Sequence, residues 1–148
     1  MKRTSKSLFM IPILFLLMTA ISYGGLDIKE GLWEVKNTVE MDIPGATFKV
    51  PSRIFTYREC LTRQKIFPRL EDNLEQVCKI VNQRIEGSKV VWEMECKDRR
   101  SIAEGVGEIK YEGKRFEGNM TLVTHENGMT APTRIVRHME GHWIGRCK

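Results

Sequence analysis

The sequence lacks the short motifs that mark the common catalytic sites. It contains no Gly-x-Ser-x-Gly nucleophile motif, and its serines are few. Gly105-x-Gly107 falls inside a strand pattern, so it does not read as a phosphate-binding loop. These absences leave no catalytic residue and no cofactor to predict. An enzyme is therefore the function class that the residues support least.

Length and charge exclude further classes. With 148 residues, the chain is too short for a catalytic α/β barrel or a two-domain enzyme, whereas a compact β or α+β unit fits. Lys and Arg number 24 against 19 Asp and Glu, and they form no strong cluster. A nucleic-acid-binding face normally needs such a cluster, so no nucleic-acid partner is expected.

The one long apolar run lies at the N-terminus. Residues 8–21 carry no charge and follow Lys2, Arg3 and Lys6, which is the pattern of a signal peptide. The run is shorter than the roughly 20 residues that a membrane-spanning helix needs. We predict a signal peptide over residues 1–22, cleaved before Tyr23. Cleavage after Gly24 and an uncleaved anchor are the alternatives.

An export signal of this kind has consequences for the rest of the chain. No cysteine precedes Cys60, so the signal is not of the lipidated type. Cleavage would remove three of the 24 basic residues and no acidic residue, which leaves a net charge of +2. Residues 23–148 are then expected to be a single β domain without an integral membrane span, located in the periplasm or secreted.

Four cysteines, Cys60, Cys78, Cys96 and Cys147, lie in the predicted mature chain. In an oxidising compartment an even count indicates two disulfides, and four cysteines allow three connectivities. Local order favours Cys60 with Cys78 and Cys96 with Cys147. A zinc site is the competing interpretation, but there is no Cys-x-x-Cys pair, so no metal is predicted.

Most of the mature chain alternates between apolar and polar residues, as strands with one buried face do. Turn signals separate the alternating runs at residues 43–46, 87–88, 112–115 and 126–128. The exception is the stretch between Cys60 and Cys78, where one or two short helical turns are expected. The predicted fold is all-β: an antiparallel meander of about six to eight strands in a barrel-like or strongly curled sheet, with one short helical connection.

Several short motifs occur in an order that resembles a known family. They are Gly31-x-Trp33-Glu34, Cys60, Cys78, Trp92-x-Met94-x-Cys96, Gly105-x-Gly107-x-Ile109-x-Tyr111, Phe116-Glu117-Gly118-x-Met120 and Gly145-Arg146-Cys147. The chain resembles the bacterial domain-of-unknown-function family 3617 over nearly all of the predicted mature part. The resemblance implies an exported bacterial domain without an assigned activity, and it implies no catalytic residues. Gly31-x-Trp33 also resembles the opening of lipocalin-like barrels.

Methionine and aromatic side chains fall mainly on the predicted inward positions. Such side chains either fill a small β domain or leave room for an apolar ligand. The candidate apolar cavity is lined by Trp33, Val35, Trp92, Met94, Tyr111, Phe116 and Met120. The first functional hypothesis is thus a non-catalytic module that binds a small apolar ligand or lipid. The alternative is a solid β module that docks an envelope protein through a sheet edge.

Histidines and glutamates offer weaker candidates. His138 and His142 share one face of a strand, with Glu140 between them, but three ligands spread along a strand cannot converge on one ion. Glutamates alternate along the predicted strands, as they do on a solvent-exposed face. We interpret both sets as surface residues.

Overall fold

The computed structural model describes residues 25–69, 77–128 and 130–148, which form one sheet of seven antiparallel strands. The strands are β1 (Gly31–Asp42), β2 (Arg53–Leu61), β3 (Cys78–Glu86), β4 (Lys89–Lys97), β5 (Ser101–Glu112), β6 (Arg115–Glu126) and β7 (Thr133–Gly145). Their order across the sheet is β2-β1-β7-β6-β5-β4-β3. The all-β, antiparallel fold predicted from the alternation is confirmed.

Tight turns set the register of the hairpins. Gly87 and Gly113 have φ angles of 62° and 63°, which glycine adopts without the steric cost that other residues meet. Glu86 pairs with Lys89, and Glu112 pairs with Arg115, so each of these loops contains two residues. Both turns lie where the sequence predicts them.

The sheet is open, so the barrel-like form of the prediction is not observed. β1 lies between β2 and β7, which leaves β2 at one edge and β3 at the other. The described residues of these two edges make no ladder with each other. Apart from the pairing of β1 with β7, every pair of neighbouring strands in the sheet is consecutive in sequence, and the opening lies between β2 and β3.

One face of the sheet, called the inner face below, carries the core. Burial alternates along β5 and β6, as the two-residue period of a strand requires. Trp33 in β1 and Tyr111 in β5 are three strand positions apart, which is about 14 Å in a flat sheet. Their ring centroids are only 6.2 Å apart. The sheet therefore curls toward its inner face.

The connection between β2 and β3, called the crossover segment (residues 62–77), joins the two edge strands of the sheet. Its described residues, 62–69 and 77, contain bends and a turn but no helix, so the helical turn expected between Thr62 and Pro68 is wrong. The second predicted turn, over residues 70–76, lies outside the described residues. Phe67 packs edge-on against Trp92, with ring centroids 5.1 Å apart. Side chains of the crossover segment thus help to cover the core without helical structure.

The structure pairs Cys60 with Cys147 and Cys78 with Cys96, so the connectivity expected from local order is wrong. Cys78 and Cys96 are register partners in the β3–β4 hairpin, whose turn at Gly87 lies midway between them. Cys60 near the end of β2 reaches Cys147 because β1, the neighbour of β2, also pairs with β7. All four cysteines are used, as predicted, and two disulfides are consistent with an oxidising compartment.

The predicted signal peptide and both predicted cleavage sites lie outside the described residues. Within residues 25–69, 77–128 and 130–148, no helix has the length and hydropathy that crossing a bilayer would require.

Two inner-face glycines make room for aromatic rings on the neighbouring strand. A Cβ atom at Gly141 would overlap the ring of Phe116, and one at Gly107 would overlap the indole of Trp92. Each ring thus lies directly over the backbone of the next strand. This close approach is one reason that an open sheet can bury aromatic side chains.

We predict that Gly141→Ala destabilises the fold by about 1–3 kcal/mol, the usual cost of overpacking a core. Gly145→Ala is the matched control in the same strand, because a Cβ there meets nothing within 4 Å. The control should change the free energy of unfolding by less than about 0.5 kcal/mol. Urea unfolding gives the free energy of unfolding of both variants. Equal effects of the two substitutions would show that the ring does not lie against Gly141.

The two disulfides should contribute unequally. Cys60 and Cys147 are 87 residues apart, and Cys78 and Cys96 are 18 apart. The chain-entropy model then gives about 4.5 kcal/mol for the first bond and about 3 kcal/mol for the second. We expect the Cys60→Ser/Cys147→Ser protein to unfold at lower urea than Cys78→Ser/Cys96→Ser. Non-reducing peptide mapping should recover both bonds, and a Cys60–Cys78 peptide would contradict the strand order.

Candidate functional site

All seven residues of the predicted cavity are buried on the inner face, but they do not line one cavity. The structure divides them into a packed aromatic group and a second group beside open space. Trp33, Val35 and Tyr111 are fully buried, and Phe116 is almost so. Trp92, Met94 and Met120 are buried farther along the same face.

The aromatic group is a solid core. The Trp33 ring lies 5.5 Å from that of Phe116, and the Phe116 ring lies 5.4 Å from that of Tyr111, measured between centroids. The Tyr111 hydroxyl donates a hydrogen bond to the carbonyl oxygen of Ile66 in the crossover segment. Burial raises the pKa of Tyr111 well above its usual value, so the hydroxyl stays protonated. The described side chains at this end of the inner face are closely packed.

The second group borders two spaces of different size. Trp92, Met94 and Met120 surround a space of about 30 Å³ with Phe67, which is roughly the volume of one water molecule. Such a space is a packing gap in the core. Met120 also lines a larger apolar recess of about 140 Å³ at the opposite end of the inner face from Trp33.

This larger space, called the recess below, lies between the inner face and the loop that joins β1 to β2. β1, β6 and β7 form its wall on the sheet side, and Val50, Pro51 and Arg53 close it from the loop and the start of β2. Its described lining is Val39, Met41, Val50, Pro51, Arg53, Met120, Leu122, Ile135 and Arg137. Seven of these nine residues are apolar, and both charged residues are arginines. The recess can hold an apolar group beside positive charge.

A buried polar cluster adjoins the recess at Arg137, which is 3% exposed. The Arg137 Nε donates to Oδ1 of Asn37 at 2.6 Å, and Nη2 donates to the carbonyl oxygen of Arg69 at 3.1 Å. The Tyr57 hydroxyl donates to that same carbonyl at 3.1 Å. Through these hydrogen bonds, the cluster connects β1, β2 and β7 to the crossover segment.

Two side chains of this cluster have unusual environments. Burial raises the pKa of Tyr57, and the nearby Arg137 charge offsets part of that rise. Asn37 is fully buried, and its side chain also acts to lower the Tyr57 pKa. Among the described residues, no acceptor meets its Nδ2 at full hydrogen-bond geometry.

One buried carboxylate stabilises the crossover segment. Glu59 in β2 is 8% exposed, accepts a hydrogen bond from the Arg69 amide at 2.7 Å and pairs with Lys65 Nζ at 2.7 Å. Both partners belong to the crossover segment, so Glu59 has a structural role. The glutamates of β4, β5 and β6 considered from the sequence alone are exposed or half-buried.

The histidines of β7 lie on the outer face and meet different partners. His138 Nδ1 lies 2.7 Å from Asn119 Oδ1, and its Nε2 lies 3.5 Å from Glu140. His142 instead pairs with Glu34 at 3.5 Å. No group of three His, Cys, Asp or Glu residues in the described part of the chain is placed to hold a metal ion.

From the sequence alone, Met120 is predicted to line an apolar cavity, but the other residues of the recess are not. Val39 and Met41 share the parity of Trp33 and Val35, so their inward direction could be predicted. Nothing in the sequence indicated that Arg53 and Arg137 would meet there, because they come from different strands and only the register of the sheet brings them together.

A comparison with protein-family models matches most of the chain. The family model described as "Protein of unknown function (DUF3617)" matches residues 28–147. No curated protein and no solved structure matches the chain.

Proposed function

Because the chain belongs to the DUF3617 family, whose description assigns no activity, we propose a function from the geometry of the recess. The protein is a non-catalytic binding module that holds a small apolar ligand or the apolar end of a lipid. It acts after export, as the N-terminal signal pattern and the two disulfides suggest. The observation that carries the proposal is the recess itself, apolar in seven of its nine described lining residues.

The size of the recess limits what it can hold. Its 140 Å³ is about five water volumes, well below the roughly 300 Å³ at which pockets for drug-sized ligands begin. Only one end of a ligand fits inside. An open groove of about 690 Å³ along the β1–β2 loop shares Met41, Val50 and Pro51 with the recess. The remainder of the ligand would lie in this groove.

Exposed apolar side chains support the same location. Phe48 in the β1–β2 loop is 68% exposed and lines the groove, and Met41 at its junction with the recess is 37% exposed. Large apolar side chains that remain exposed beside a concave surface are typical of binding sites. Covering them with a ligand would remove apolar area from water, at about 25 cal/mol per Å².

We expect Met41→Glu to weaken binding of the uncharged fluorescent probe N-phenylnaphthylamine by at least about tenfold, since a carboxylate would be desolvated in the recess. Ile144→Glu is the matched control, because Ile144 in β7 is 38% exposed and lies outside the recess. Probe titration gives the dissociation constants, and native mass spectrometry of protein from its own envelope would show a bound ligand. If the protein shows no saturable probe binding and no ligand co-purifies with it, the proposal is overturned.

A specific feature of β3 favours a second candidate function, the docking of an envelope protein by addition of a strand. β3 is an edge strand of nine residues, and eight of them are exposed. Ile80, Val81 and Ile85 are 40%, 46% and 54% exposed, respectively. Proteins usually protect such an edge, and here the protection consists of the register shift between Ile80 and Asn82 and the charged side chains of Lys79, Arg84 and Glu86.

A photo-reactive amino acid at Arg84 tests this second function in intact cells, since the side chain is exposed on the edge strand. We expect a cross-link to one envelope protein, whereas the same group at Arg115, on an inner strand, should give none. Recovery of only the uncross-linked monomer from both positions would argue against docking. A cross-link to a second copy of the chain would indicate self-association instead.

A further inference from the structure

The groove beside the recess is lined by side chains of both charges. Glu40 and Asp42 are acidic, Lys49 and Arg134 are basic, and all four are exposed. The groove adjoins the recess, so a ligand whose apolar end fills the recess places its other end here. The charges of the groove therefore indicate the class of head group that such a ligand carries.

Asp42 and Arg134 are cross-strand neighbours of opposite charge that do not pair. They are register partners in β1 and β7, and side chains in such positions are close enough to interact. Lys36 and Glu140, register partners in the same two strands, form an ion pair at 3.5 Å. Asp42 and Arg134 form none, either with each other or with any other residue that the structure describes. Both line the groove instead, so their charges are left for a ligand.

The other two charges extend this arrangement. Glu40 is two residues from Asp42 in β1, so the two carboxylates share one face of the strand. Lys49 belongs to the β1–β2 loop, which supplies much of the remaining lining. Neither Glu40 nor Lys49 forms an ion pair within the described part of the chain. A head group with a single charge would meet both attraction and repulsion here, whereas one that carries both charges can meet an opposite charge on each side.

The size and the neutral lining of the groove suit a head group. Its volume of about 690 Å³ lies within the usual range for sites that bind small molecules. Thr47 and Ser52 add hydroxyl groups, which can donate hydrogen bonds to acidic oxygens. Phe48 adds an apolar surface beside them.

We propose that the groove binds the zwitterionic head group of an amphiphile, with its ammonium group at Glu40 and Asp42 and its acidic group at Lys49 and Arg134. The apolar chain of the same molecule lies in the recess. This inference rests on the proposed binding function and specifies the chemical class of the ligand. A phosphate and a carboxylate share the chemistry that the acidic group needs, and two of the test ligands distinguish them.

Isothermal titration of the disulfide-intact protein compares amphiphiles that share a dodecanoyl chain, each below its critical micelle concentration. Dodecanoylglycerol is neutral, dodecanoyl-lysophosphatidate is anionic, and dodecanoyl-lysophosphatidylethanolamine is zwitterionic. We expect the zwitterion to bind at least about threefold more tightly than either of the others, because two exposed and individually weak ion pairs add to the apolar contacts. Nα-dodecanoyl-lysine, whose head group combines an ammonium with a carboxylate, shows which acidic group the groove prefers.

Two substitutions separate the two kinds of charge. Asp42→Asn removes a carboxylate, so it should lower the preference for the zwitterion over the anion by at least about twofold. Arg134→Gln removes a cation, so it should weaken binding of both phospholipids by at least about twofold and leave dodecanoylglycerol unchanged. Asp98→Asn and Arg115→Gln make the same changes at exposed positions outside the groove and should alter no affinity.

The outcomes separate this inference from the proposed function. A smaller preference for the zwitterion in the unaltered protein, or one that neither groove substitution reduces, overturns the inference alone. Equal effects of the groove substitutions and their controls also overturn it. No binding of any of these amphiphiles overturns the proposed function and this inference with it.

Discussion

The stability of this fold depends on covering the apolar core that lies on one face of an open sheet. A closed barrel encloses its interior, whereas this sheet has two edges and must cover its core by curling and by means of a connection. The curl brings Trp33 of β1 and Phe116 of β6 into contact over β7, which lies between their strands. The packing of Phe116 over Gly141 makes that contact possible. The crossover segment is then bonded to the core by Tyr111 and Glu59.

The same arrangement divides the inner face into two ends with different properties. At the Trp33 end, three aromatic rings fill the space, and the disulfide between Cys60 and Cys147 lies nearby at the ends of the strands. At the other end, none of the described residues that line the recess is aromatic. The recess forms there, and the long β1–β2 loop covers it only in part. Stability and the proposed binding thus belong to opposite ends of one sheet.

The local structure could be predicted because it depends on neighbours in sequence. The alternation of apolar and polar residues predicted the strands, and Gly87 and Gly113 predicted two of the turns. The Cys78–Cys96 bond was within reach of the same reasoning, because the Gly87 turn lies midway between the two residues. The prediction instead paired Cys60 with Cys78, across the irregular connection, although Cys78 and Cys96 are separated by the same number of residues and face each other in a hairpin. The pairing of β1 with β7, and with it the Cys60–Cys147 bond and the recess, has no local signal. It follows from the packing of distant segments.

In the proposed function, the Trp33 end of the inner face is solid and the opposite, open end accepts a ligand. Methionine-methyl NMR during titration with dodecanoate tests it most directly, because Met41 and Met120 line the recess and Met94 does not. Trp33 reports on the solid end through its indole N–H, which donates to the Lys29 carbonyl oxygen at 2.9 Å. We expect the Met41 and Met120 signals to shift with saturation while the Met94 and Trp33 signals stay in place. Shifts at Trp33 without shifts at Met41 would contradict it.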